Sequence, residues 1–160
     1  MKPLLINNLE VAKSQGILSG EIPFNSCDRL ADILIQDVKN SHKIEYKLTG
    51  STTKLHLPSL HLTIDANLSI LCQRCLDVMQ QALLLNYDYV ISESEPDAFE
   101  GDDDVDWLEV SREMNLNELI EDELLMALPV APTHDHGCIP HQQESGEKHN
   151  PFSVLKDLIK

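Results

Sequence analysis

Hydrophobic and polar positions along the chain fall into three regimes. From Phe24 to Asn40, Leu30, Ile33, Leu34 and Val38 recur at helical spacing, which predicts a helix capped by Ser26 or Asp28. Cys27 at its start reads as a free thiol, packed or exposed. From Lys43 the period changes to two. Ile44, Tyr46 and Leu48 alternate with Lys43, Glu45 and Lys47, and Gly50–Ser51 suggests a turn. A longer alternation then runs from Leu55 to Cys72. Leu60, Leu62, Ile64, Ala66, Leu68 and Ile70 occupy one face, with His61, Thr63, Asp65, Asn67 and Ser69 on the other. His56 and His61 belong to the polar face, and Pro58 marks an edge or a bulge. A second strand follows, with Leu83, Leu85, Tyr87, Tyr89 and Ile91 against Ala82, Leu84, Asn86, Asp88 and Val90. Two adjacent strands with a short connection predict an antiparallel hairpin whose tip is Cys72-Gln-Arg-Cys75-Leu-Asp.

The third regime begins at Ser92. Residues 92–108 are acidic, contain Pro96 and Gly101, and read as a loop, with Trp107 able to tie it to the body or to anchor a partner. The strongest helix is Asn115–Leu128. Asn115 and Glu118 resemble a capping box, Leu116, Leu119, Ile120, Leu124, Ala127 and Leu128 form its apolar stripe, and Pro129 stops it. Its acids, Glu118, Glu121, Asp122 and Glu123, suit the helix dipole and a solvated face. Residues 129–150 form a loop rich in His and Pro, and Phe152, Leu155 and Ile159 suggest a short terminal helix capped by Asn150. These elements predict a single α+β domain over 1–160. An antiparallel β-sheet, free to curl toward a barrel, carries two or three helices.

Length permits one core without disulfide staples, and scarce aromatics make that core Leu, Ile and Val. No apolar run approaches the ~20 residues of a bilayer span, and Met1–Gly16 is not patterned as a secretory signal. A cytoplasmic setting, with reduced thiols, is therefore expected.

The net charge of -15 is unevenly spread. Residues 1–92 carry 9 acids and 8 bases, residues 93–123 carry 14 acids and one base (Arg112), and residues 124–160 carry 4 acids and 3 bases. Nearly all the excess thus sits in residues 93–123. Such a field repels nucleic acid and favours a basic protein partner, although an acidic loop that only solubilises has the same composition.

Cys72 and Cys75 admit three readings. A thiol redox pair is one, but thioredoxin-like pairs precede a helix and here a strand follows. Two small packed hydrophobes are another. The third is half of a zinc site, because a hairpin tip turns both sulfurs to one side. His134 and Cys138 in His-Asp-His-Gly-Cys are the preferred completion, with His136 the alternate and His141 more distant. A zinc hydrolase would need an open coordination position, so four ligands favour a structural zinc. No phosphate-binding loop, dinucleotide fingerprint or nucleophile elbow is present.

Three stretches together, Cys-Gln-Arg-Cys after an alternating strand, EDELLMALPVAPTHDHGC and NPFSVLKDLIK, resemble the bacterial large ribosomal RNA subunit accumulation protein (YceD) family. The resemblance covers about residues 60–92 and 115–160. It implies a non-enzymatic, cytoplasmic factor in the synthesis, processing or stability of 23S ribosomal RNA, and it supplies no catalytic residue. It also implies a metal site, since members elsewhere carry extra cysteines near His134 and Cys138. Charge then points to an adaptor for a basic ribosomal protein or an rRNA-processing enzyme, with contact to rRNA indirect. Its surface is expected to include Asp102, Asp103, Asp104, Asp106, Trp107, Glu118, Glu121 and Asp122. A thiol oxidoreductase, or a zinc protein of unrelated role, is the alternative.

Overall fold

The structure, a computed structural model, describes residues 3–34, 43–94 and 105–140. Its centre is the predicted hairpin. Strand β4 (Pro58–Leu71) pairs antiparallel with β5 (Val78–Ser92), from Ser59 opposite Val90 to Leu71 opposite Val78. The inward row of β4, from Leu60 to Ile70, is almost completely buried, as its alternation predicts. Each such aliphatic side chain contributes about 1.5–3 kcal/mol on leaving water. On the outer face, polar pairs hold the same register. His61 Nδ1 lies 2.8 Å from Asp88, Thr63 donates to Asn86, and Gln80 donates to Ser69.

Strand β3 (Lys43–Thr52) adds to β4, and β2 (Ile17–Pro23) adds to β3, both antiparallel. The expected turn at Gly50–Ser51 is instead strand. The reversal falls at residues 53–57, and His56 sits in it with φ 61° and not on a strand face. Gly50 is fixed by packing. Helix α1 (Asn8–Lys13) crosses β3 so closely that a Cβ there would lie 2.0 Å from the Val11 carbonyl oxygen. Pro58 occupies the first position of β4, where it donates to no ladder.

On the other side of β5, strand β6 (Val105–Glu109) pairs in parallel, Asp88 opposite Val105 and Ser92 opposite Glu109. The expected α+β fold is borne out: the sheet is antiparallel from β2 to β5 with β6 added in parallel, and among the described residues it lies open in the order β2-β3-β4-β5-β6. One expectation is corrected here. The end of the acidic segment is a strand and not a loop. Residues 93–104 supply the dozen or so positions that a parallel connection requires.

Helix α3 (Leu116–Ala127) begins as predicted, with Asn115 accepting from the Asn117 amide at 3.2 Å. Leu116, Ile120 and Leu124 are fully buried in the common core. A short pair, β1 (Leu5–Ile6) with β7 (Met114–Asn115), ties the N-terminus to its start. The helix expected over Phe24–Asn40 is much shorter in the described part. It is a 3-10 turn (Phe24–Ser26) and α2 (Asp28–Ala31). Neither expected residue caps α2. Ser26 donates to the Pro23 carbonyl, Asp28 is inside the helix, and Ile33 is exposed.

The cap of α2 comes from α3. Glu121 Oε1 accepts from the amides of Arg29 at 2.8 Å and Leu30 at 3.0 Å, and Oε2 binds the Arg29 guanidinium. Glu121 and Glu123 therefore do not belong to a solvated face. Glu121 is 7% exposed and Glu123 5%, the latter accepting from the Tyr89 hydroxyl at 2.7 Å. The expected terminal helix at 151–159 lies outside the described residues. So does the loop beyond residue 140.

A candidate metal centre at the hairpin tip

The six residues between β4 and β5 form a tight knuckle. The Cys72 amide donates to Asp77 O at 2.9 Å and the Leu76 amide to Cys72 O at 2.9 Å. Leu76 takes φ 63°, a left-handed conformation that costs a residue with a side chain about 1–2 kcal/mol. That strain folds the turn back so that both cysteine sulfurs face the same side. The residues after α3 run across the tip, and the Gln73 amide donates to Pro132 O at 2.8 Å. This backbone bond carries no side-chain signature, so sequence reasoning had no means of finding it.

The crossing brings His134 and Cys138 over the knuckle. Cys72 Sγ lies 3.7 Å from Cys138 Sγ, and Cys75 Sγ lies 3.4 Å from His134 Nδ1. The four ligand atoms all fall within 4.8 Å of one another. A tetrahedral zinc with bonds of about 2.3 Å to sulfur and 2.0–2.1 Å to nitrogen sets edges of about 3.8 Å between sulfurs and about 3.6 Å from sulfur to nitrogen. Both close pairs match those edges. All four cysteines of the chain are free thiols, and Cys72 is buried while Cys75 and Cys138 are half-buried. His136, the alternate ligand, is exposed and is not one of the four.

The electrostatics suit a cation. Burial works against a Cys72 thiolate. The amides of Cys75, Arg74 and His134 and the Cys75 side chain outweigh it, and the pKa falls to about 5. The Arg74 amide is 3.4 Å from that sulfur. At Cys75 the Asp77 amide favours the thiolate. Desolvation, the sulfurs of Cys72 and Cys138 and the Asp77 side chain oppose it, and the thiol is pushed up to about 11. Without a cation the cluster holds on to a proton. A divalent ion would take its place and release it. Three sulfurs and one imidazole nitrogen form a closed donor set, which fits a structural zinc and leaves no position for substrate.

The residues expected to bind a partner are dispersed differently. Asp102, Asp103 and Asp104 lie outside the described residues. Asp106 and Trp107 stand on β6, Asp106 exposed and Trp107 38% exposed. Glu118 and Asp122 are exposed on α3, with Asp122 in an ion pair to Arg29. Glu121 is spent on α2. Among the described residues, no helix is long and apolar enough to cross a membrane.

The chain is similar over nearly its whole length to the large ribosomal RNA subunit accumulation protein YceD of Haemophilus influenzae. The two are 26% identical, with 98% of this chain and 95% of the relative covered. No solved structure matches. The model of the large ribosomal RNA subunit accumulation protein YceD family matches residues 60–159, a span that contains the hairpin from Leu60 onward, the four clustered ligands and α3, and the chain belongs to that family.

Proposed function

We propose that the chain supports accumulation of the large-subunit ribosomal RNA as a non-enzymatic cytoplasmic factor, and that it does so by holding a basic protein. The observation that carries this reading is the family match over residues 60–159, whose description names that RNA. Charge supports the choice of partner. Residues 93–123 carry 14 acids and one base, so direct coating of RNA is opposed while a basic ribosomal protein or processing enzyme is attracted. In this account zinc, held by Cys72, Cys75, His134 and Cys138, is structural. It clasps the hairpin tip to the segment leaving α3 and so fixes the acidic helix against the sheet.

The test is complementation in cells lacking the chain, read as the ratio of 23S to 16S ribosomal RNA. Deletion should lower the ratio, the native chain should restore it, and a variant with Asp102, Asp103, Asp104 and Asp106 changed to Asn should restore it poorly. A normal ratio on deletion defeats the reading. Full rescue by the Asn variant reduces the acidic segment to a solubiliser.

The depressed Cys72 beside the elevated Cys75 gives a thiol oxidoreductase some support. A reversible two-electron couple in the metal-free protein, with no zinc taken up at stoichiometry, would favour that alternative.

A further inference from the structure

Strand β6 is an edge of the sheet, and the ladder tells which of its backbone groups face outward. The Val110 amide donates to Ser92 O at 3.1 Å, so the even positions turn their amides and carbonyls toward β5. Val105, Trp107 and Glu109 must then turn theirs away. Glu109 confirms the parity, since its carbonyl accepts from Asn8 Nδ2 on the far side at 2.8 Å. Asn8 is fully buried and also accepts from the Ser111 amide, which closes this end of the edge. Val105 and Trp107 keep outward backbone groups that pair with no strand among the described residues. An unpaired edge of this kind is a template for another extended chain.

The two edges of the sheet differ in charge. At β2 the single acid, Glu21, is ion-paired with Lys43. On β6 Asp106 and Glu109 are exposed, the exposed Glu113 follows, and the sequence stretch 93–123 that contains the strand carries 14 acids and one base. Leu108 and Val110 pack on the core, while Trp107 lies on the opposite face, beside Val90, and keeps 38% of its surface exposed. The edge thus offers backbone groups, an aromatic anchor and acids within one short strand.

We propose that an extended, lysine- or arginine-rich protein segment adds to β6 as a further strand, pairing with Val105 and Trp107. The inference rests on the basic-partner reading and gives its mode. Backbone pairing supplies register and acids select positive side chains, so a flexible basic tail is captured without a preformed pocket.

Trp107 is the only tryptophan of the chain, so its fluorescence reports on this edge directly. The full chain is titrated at low salt with a synthetic peptide of alternating lysine and valine, and with the same peptide N-methylated at alternate residues. Methylation leaves the charge unchanged but removes the donors along one edge. The parent peptide should shift the Trp107 emission to the blue and saturate, and the methylated one should bind at least about tenfold more weakly. Val105→Pro removes one outward amide at the first position of the strand and should weaken the parent peptide similarly. If the variant is unfolded, the methylated pair on the native chain decides alone. Equal binding of the two peptides, weakened by Asp106→Asn, overturns strand addition and leaves acidic capture standing. No binding of either peptide at low salt overturns both.

Discussion

Replacing Glu121 separates acids that build the fold from acids that face solvent. Its carboxylate receives two backbone amides at the N-terminus of α2 and two contacts from the Arg29 guanidinium, all between 2.8 and 3.3 Å. Helix α2 is one turn long, too short to be stable alone, so this carboxylate from α3 is what fixes it. Hydrogen bonds to a charged group are worth about 1.5–3 kcal/mol each when buried. The two backbone bonds are buried or part-buried, whereas the Arg29 side chain is half-exposed and its ion pair is screened by solvent and adds little. Glu121→Ala should therefore cost about 3–5 kcal/mol, a large share of a typical total of about 5–15 kcal/mol. Glu121→Gln keeps one acceptor and the side-chain volume, and should cost about 1–2 kcal/mol. Glu118→Gln, on an exposed site, should stay within about 0.5 kcal/mol of the native chain. Urea denaturation followed by Trp107 fluorescence measures all three. Equal losses for Glu121→Ala and Glu118→Gln would refute the assignment of Glu121 to the interior.

Two further perturbations test other parts of the fold. Burial, followed by the negative charge of Glu121, pushes Cys27 up to about 11 from its ordinary 9.0. A raised pKa means that this thiol's stabilisation is fully present below about pH 9 and is lost as pH rises through about 11. Alkaline denaturation should accordingly be steeper in the native chain than in Cys27→Ala over that window, and identical slopes would contradict it. Gly50→Ala places a methyl group 2.0 Å from a backbone oxygen of α1, which cannot move aside cheaply, and should cost ~3 kcal/mol or more by thermal melting. A neutral effect would mean that α1 does not lie on β3.

The hairpin was legible because β4 alternates cleanly between apolar and polar over Leu60–Ile70 and is half-buried in just that way. Helix α3 was legible from its apolar stripe and its cap. The failures have separate causes. Strand β6 was hidden because Asp106 and Glu109 look like loop residues, while Leu108, and Val110 just past the strand's end, pack against the core. Helix α2 was overextended because Ile33 sits at the helical spacing yet is exposed. Helix α1 and strands β1 and β2 carry little periodicity. Helix α1 is held by the buried side chain of Asn8 and by the missing Cβ of Gly50, β1 by pairing with β7 and β2 by its ladder with β3, all of which depend on partners far along the chain. Glu121 and Glu123 looked like dipole complements because sequence position cannot say that Arg29, Leu30 and Tyr89 will meet them.

For the metal cluster, sequence supplied the donors and structure supplied the meeting. Cys-x-x-Cys at a hairpin tip already implied two convergent sulfurs. Choosing His134 over His136 required the path of the chain after α3, which the Gln73–Pro132 backbone bond sets.

The most direct test of the account is the zinc content of the purified full chain, measured by inductively coupled plasma mass spectrometry on the native protein and two variants. One zinc per chain is expected in the native protein and in His136→Ala, with stoichiometric zinc lost in Cys138→Ser. Cobalt substitution should give the charge-transfer absorption of thiolate ligands in the first two and not in the third. A native chain without zinc that takes up none when offered it, or a Cys138→Ser variant that retains a full equivalent, would contradict the four-ligand clasp.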